Sequence, residues 1–97
     1  VADIVLSRRA RDDFKRIWRY IAEDNERAAD ALLLALDEKI ERLRSHPEMG
    51  MLRNDIRSNA RMLVHKSYLV LYEYHRTSEM VEIVAIVEGM RDLGEVF

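Results

Sequence analysis

Apolar positions recur at helical spacing through the first half of the chain and gather into strand-like runs in the second. Ile4-Val5-Leu6 is a short apolar stretch closed by Ser7, and it predicts a first strand over 3–6. Ser7 suits a helix N-cap, because its hydroxyl can accept from an otherwise unpaired amide of the first turn. Ala10, Phe14, Ile17, Trp18, Ile21 and Ala22 follow on one helical face. Most of the Arg, Lys and acidic residues between them fall on the other faces, so a first amphipathic helix is expected to end near Asp24-Asn25. Trp18 is expected in the core, sealing the helices against a sheet, with Tyr20 on a different face.

A second helical stripe comprises Ala29, Leu32, Leu33, Leu36, Ile40 and Leu43, widened by Ala28, Ala31, Leu34 and Ala35. It predicts a helix from about Glu26 to Ser45, buried on more than one side. The short connection at Asp24-Asn25 makes the two helices an antiparallel hairpin. Pro47 cannot continue the helix, and Gly50 suits a turn. Residues 49–60 lack periodicity and read as a loop or an irregular strand. Arg61 to Lys66 alternates weakly. Tyr68 to Tyr74 is rich in aromatic and branched residues, and Met80 to Val87 is the strongest strand pattern in the chain. The segment 75–79 separates these last runs at hairpin-loop length. The predicted fold is α+β: strand, helix, helix, then a three-stranded antiparallel meander, with the helix hairpin on one face of the sheet. The whole chain, 1–97, reads as a single domain.

Composition narrows the function. Of the 97 residues, 48% are hydrophobic and 35% charged, a balance that excludes disorder as the default state. There is no Cys, which excludes a disulfide framework, a thiol nucleophile and an iron–sulfur site. No apolar run approaches a membrane span and no charged-then-apolar leader is visible, so a cytoplasmic protein that does not engage membranes is expected. The formal charge of −2 argues against a protein whose task is to wrap nucleic acid. Charge is uneven along the chain, however. Arg42, Arg44, Arg53, Arg57, Arg61 and Lys66 make a basic middle, and Glu73, Glu79, Glu82, Glu88, Asp92 and Glu95 an acidic end. Two electrostatically distinct surfaces, or local ion pairs on a solvated surface, would account for this.

The chemistry-bearing residues are few. His46, His65 and His75 show none of the i,i+4 pairing of zinc helices, so neither a metal nor any other cofactor is expected. No nucleophile elbow surrounds any Ser. A metal-independent nuclease needs a base for the 2′-hydroxyl, a cation for the phosphate and an acid for the leaving oxygen. Arg53, Arg57, Arg61, His65, Lys66, Tyr72 and Arg91 are the candidates for such a set. The alternative is that the tyrosine rings are buried with wet hydroxyls while the arginines serve solubility or partner binding.

Ser7, Ala10-Arg11, Asp13-Phe14, Ile17-Trp18, Tyr20-Ile21-Ala22 and Asn25 together resemble the opening helix of ParE-like toxins. Ala28-Ala29, Ile40, Leu43, Pro47, Met49-Gly50, Arg53 and Asp55 continue the likeness. The Tyr68–Tyr74 strand and the closing Val81–Asp92 run, with Gly89 and Arg91-Asp92-Leu93, complete it. The resemblance covers almost the whole chain and points to the ParE/RelE superfamily of toxin–antitoxin systems. It implies the same element order as the periodicity.

RelE-like members are ribosome-dependent mRNA endonucleases, whereas ParE-like members typically poison DNA gyrase. The RelE-like pattern places an Arg where Val64 stands and a Tyr where Phe97 stands. Phenylalanine has no hydroxyl to move a proton. The resemblance therefore implies a gyrase poison, with Glu88, Arg91, Asp92 and Glu95 as the target surface; Glu88 departs from the His expected before Gly89. It also implies a ParD-like antitoxin laid across the chain, with Trp18, Ile21 and Leu33 rimming an apolar groove. Arg53, Arg57 and Arg61 would pair with its acidic residues, and DNA contact would fall to the antitoxin. The alternative reading is a RelE-like mRNA endonuclease using Arg61, His65, Lys66 and Arg91.

Overall fold

A computed structural model describes residues 1–89 of the chain. Arg91, Asp92, Glu95 and Phe97 lie outside the described residues. The elements are β1 (Asp3–Leu6), α1 (Arg8–Ala22), α2 (Glu26–Glu41), a 3₁₀ turn (Arg42–Arg44), β2 (Met51–Leu52), β3 (Ala60–His65), β4 (Tyr68–His75) and β5 (Met80–Glu88). Ser7 caps α1 by accepting from the Ala10 amide, and Asn25 caps α2 by accepting from the Ala28 amide. The second helix tightens to 3₁₀ geometry three residues before the expected end at Ser45. The Ser45 and His46 amides both donate to the Arg42 carbonyl there.

The sheet has five strands in the order β1-β5-β4-β3-β2. The antiparallel meander β3-β4-β5 is as expected. Periodicity did not disclose its two flanks: β1 pairs parallel to β5, and the two-residue β2 adds an edge antiparallel to β3. So part of the aperiodic 49–60 segment is a short strand. Among the described residues, no helix is long and apolar enough to cross a membrane.

The main core lies between the helices and one sheet face. Ala10, Ile17, Leu36, Ile40 and Leu43 meet Val70, Tyr72, Val81, Ile83 and Ile86 there. A second cluster, Met62, Leu69, Leu71, Ala85 and Val87, lies on the opposite face with Ile56 from the 53–59 segment packed on it. This two-sided burial explains why β4 reads as a nearly unbroken apolar run.

Two local devices fix the geometry. The ladder pairs Leu71 with Ala85 and Tyr72 with Ile83, so Val84 is an extra residue on β5, a β-bulge. At the same level β1 ends, its last pair being Leu6 with Ile83. The edge of β5 beyond that point is completed by α1. The Ser7 amide donates to the Ile83 carbonyl (2.9 Å) and its hydroxyl to the Val84 carbonyl (2.7 Å). Asp13, only 2% exposed, accepts from the Ile86 amide at 3.0 Å.

The second device is Tyr72, fully buried in β4. Its hydroxyl donates to the Pro47 carbonyl (2.8 Å) and accepts from the Gly50 amide (2.9 Å). A Cβ at Gly50 would come within 2.6 Å of that hydroxyl. Gly50 is thus required by close approach rather than by the turn geometry that the sequence suggested.

Candidate functional site

The nuclease candidates are dispersed. Arg61 and His65 stand at the two ends of β3, four residues apart, which is about 13 Å along an extended strand. Arg61 is occupied structurally: its Nη1 donates to the Glu48 and Gly50 carbonyls, each at 2.9 Å. Its Nη2 lies 3.4 Å from the Glu48 carboxylate, which also receives Arg76 at 2.8 Å. These residues line one side of a polar groove of about 610 Å³ that includes Tyr74 and His75. The Tyr72 hydroxyl is not wet, as expected from sequence, but buried and doubly bonded. Burial pushes its proton affinity up, against the lowering effect of the Gly50 amide and Arg61. It is a structural pin and not an available acid.

His65 has a different environment. Partial burial, then Lys39 and Lys66, hold its imidazole below the ordinary value of 6.5. Lys39 reaches over from α2 to donate to the Val64 carbonyl. Lys66 occupies the left-handed region (φ 55°) in the two-residue turn between β3 and β4. A neutral imidazole beside two ammonium groups therefore marks the tip of that hairpin.

The groove residues divide. Trp18 and Leu33 line a shared apolar hollow of about 470 Å³ with Leu6, Phe14 and Leu34. Trp18 does not seal the helices against the sheet. It lies half-buried on the outer side of the hairpin, and its indole Nε1 donates to Asp30 across the two helices at 2.8 Å. The reason is its phase: Ile17 takes the inward position and is 5% exposed, so the next residue turns outward. Asp30 and Asp37 flank this hollow on α2, and Lys15 and Arg19 line an adjoining one that shares Phe14, Trp18 and Leu33. Ile21 instead packs against the main core.

The basic candidates sit toward the β2–β3 side of the sheet, not at this hollow. Arg53 clamps Asp55 with two bonds of 2.8 and 2.7 Å, and Arg57 meets Glu73 at 3.0 Å. Hydrogen bonding to Arg53 pulls the Asp55 carboxyl below its usual range. The edge nearby exposes Met49, Met51 and Leu52. Met62, by contrast, is buried in the second cluster.

Glu88 is exposed at the end of β5, directly across the ladder from Tyr68. Burial first, then hydrogen bonding toward Glu88, raise the tyrosine's proton affinity. Asp13 carried no expected role, although the pattern contained a signal. Positions 10, 13, 14 and 17 form an i, i+3, i+4, i+7 stripe with one acid in it. Such an acid must find buried donors.

A family model described as "ParE toxin of type II toxin-antitoxin system, parDE" matches residues 4–93. Among solved structures, one described as "Chromosomal ParDE TA system from P. aeruginosa" superposes with a TM-score of 0.76 at 15% identity. The match covers 92% of this chain and 97% of that one. At that identity it establishes a shared fold. No curated protein matches the chain by sequence. With a family model spanning nearly all of its strands and both helices, the chain belongs to the ParE toxin family of type II toxin–antitoxin systems.

Proposed function

We propose that this toxin acts by binding and not by catalysis: it engages DNA gyrase, traps the cleaved-DNA state, and is neutralised by a ParD-like antitoxin in the cytoplasm. A ligand that binds the cleaved complex more tightly than the resealed one shifts the population towards breaks, with no chemistry of its own. The observation that carries the reading is the use made of Arg61 and Tyr72. Both are spent on the backbone carbonyls and amides of 47–50 and hold the fold together. The target surface is assigned to Glu88, Arg91, Asp92 and Glu95, following the family resemblance.

The hollow holding Trp18 and Leu33 suits an apolar anchor of the antitoxin tail. The exposed Met51 and Leu52 edge suits the tail's further path. Arg53, Arg57 and Arg61 are each engaged with an acid of the chain itself. An acidic tail would therefore have to exchange with these internal partners. Trp18→Ala and Leu33→Asp should each weaken antitoxin binding at least about tenfold, the scale of a buried aromatic or aliphatic anchor. Unchanged affinity in both variants would remove the hollow from the interface.

The deciding experiment is gyrase-mediated cleavage of plasmid by the purified chain, with and without antitoxin. Linear plasmid formed only with the free toxin is expected. No cleavage at micromolar protein would refute gyrase as the target. One observation favours the RelE-like alternative: His65 is kept neutral between Lys39 and Lys66, as a general base beside phosphate-binding cations would be. In that reading His65→Ala abolishes mRNA cleavage on translating ribosomes; in the gyrase reading it leaves toxicity intact.

A further inference from the structure

On the sheet face opposite the helices, three side chains converge near the turn end of the β4–β5 hairpin. Glu73 and His75 alternate on one face of β4, and Glu82 stands directly across from Glu73 on β5. One ligand atom from each, His75 Nε2 and a carboxylate oxygen from each Glu, fits within a span of 4.8 Å. The imidazole nitrogen is 3.8 Å from Glu73 Oε1 and 3.7 Å from Glu82 Oε1. Those separations exceed a hydrogen bond, whose range is about 2.7–3.2 Å. They are close to the ~3.3 Å spacing of ligands placed tetrahedrally at about 2.0 Å from one ion. With the imidazole neutral these are not ion pairs, and the three donor atoms lie close enough together to be shared by one ion.

A second observation points the same way. Like charges directly opposite on adjacent strands are destabilising, and here the opposed pair is two glutamates, one of them only 9% exposed. Arg57 compensates part of this charge from the 53–59 segment, but on the other oxygen of Glu73, at 3.0 Å. That contact fixes the carboxylate's orientation and leaves Oε1 facing His75, as an outer partner does for a metal ligand.

We propose that Glu73, His75 and Glu82 form a binding site for a divalent transition ion, zinc in the first instance. The donor set decides the class. One imidazole and two carboxylates suit zinc and its neighbours, whereas magnesium and calcium take all-oxygen shells. Three protein ligands leave a fourth position to water. The bound ion ties β4 to β5 and, through Glu73 and Arg57, to the segment that covers the second core cluster.

The test uses the untagged full chain titrated with zinc chloride by calorimetry, and with cobalt(II) by visible absorption. The expected result is one saturable zinc per chain at micromolar concentration and a cobalt d–d band. His75→Ala, at a partly exposed position, and Glu82→Gln should each weaken binding about tenfold or more, the loss expected for a lost ligand or its support. His46→Ala should leave binding unchanged. Zinc should also raise the melting temperature of the parent chain and not of His75→Ala. Absence of saturable binding up to millimolar zinc overturns the site. So does zinc binding that survives His75→Ala and Glu82→Gln undiminished.

Discussion

Replacing Asp13 with Ala tests the joint between the first helix and the sheet. The carboxylate accepts the Ile86 amide at 3.0 Å, Arg9 Nε at 3.0 and 3.1 Å, and Arg16 Nη2 at 2.6 Å. Removing it strands the Ile86 amide against a buried site with β1 already ended, a cost of about 1–3 kcal/mol for an unsatisfied buried donor. The two arginine side chains are 48% and 62% exposed, so water screens them, and each pair adds only about 0.2–1 kcal/mol. The expected loss is therefore about 2–4 kcal/mol. In urea, the unfolding midpoint should fall by about 1 M or more with an unchanged slope. Hydrogen exchange should show the Ile86 amide losing protection ahead of its neighbours. Asp13→Asn keeps an acceptor for Ile86 and should lose only about 1 kcal/mol, chiefly the ion pairs. A stability for Asp13→Ala within about 0.5 kcal/mol of the parent would refute the argument that this carboxylate closes the edge of β5.

Two further outcomes follow from the same geometry. Tyr72→Phe leaves the Gly50 amide and the Pro47 carbonyl without their partner, and should cost about 1–3 kcal/mol by urea unfolding; Gly50→Ala, which drives a Cβ against that hydroxyl, should also destabilise, and a neutral result for both would remove the pin. By NMR titration, His65 should protonate below 6.5, and Lys39→Ala should raise its midpoint. Because the folded value lies below the unfolded one, the unfolded chain binds more protons as the pH drops. The contribution of His65 to stability is thus present above pH 6.5 and lost as the pH falls through the folded value. A midpoint at or above 6.5 would contradict the effect assigned to burial and the two lysines.

Local rules carried the element order. The stripe from Ala10 to Ile21, the Ser7 cap and the branched run Val81–Val87 each state a period or a cap that neighbours alone decide. Those features gave the strand–helix–helix–meander order and, through an ordered set of residues, the family. What they could not give was pairing. That β1 runs parallel to β5, and that Met51–Leu52 forms an edge, depend on which distant backbone groups meet. A strand's period of two says nothing about its partner. Trp18 was misplaced because both walls of the helix hairpin are apolar. A stripe does not say which residue faces the sheet and which faces the outer side of the hairpin.

The candidate sites divided along the same line. Side-chain chemistry could nominate Arg61, Tyr72 and His65, but their partners lie 11 to 26 positions away in sequence, from Gly50 and Pro47 to Lys39. Only packing reveals that two of them are already committed. Asp13 was legible as an acid in an apolar stripe, while its donor, the Ile86 amide 73 positions away, was not. The convergence of Glu73, His75 and Glu82 needed the register of β4 on β5. Residue type and spacing determined what this chain is made of and which family it joins. The tertiary structure decided which polar groups are consumed in holding it together and which remain to meet something else, because burial and hydrogen-bond partnership are properties of contacts between distant segments.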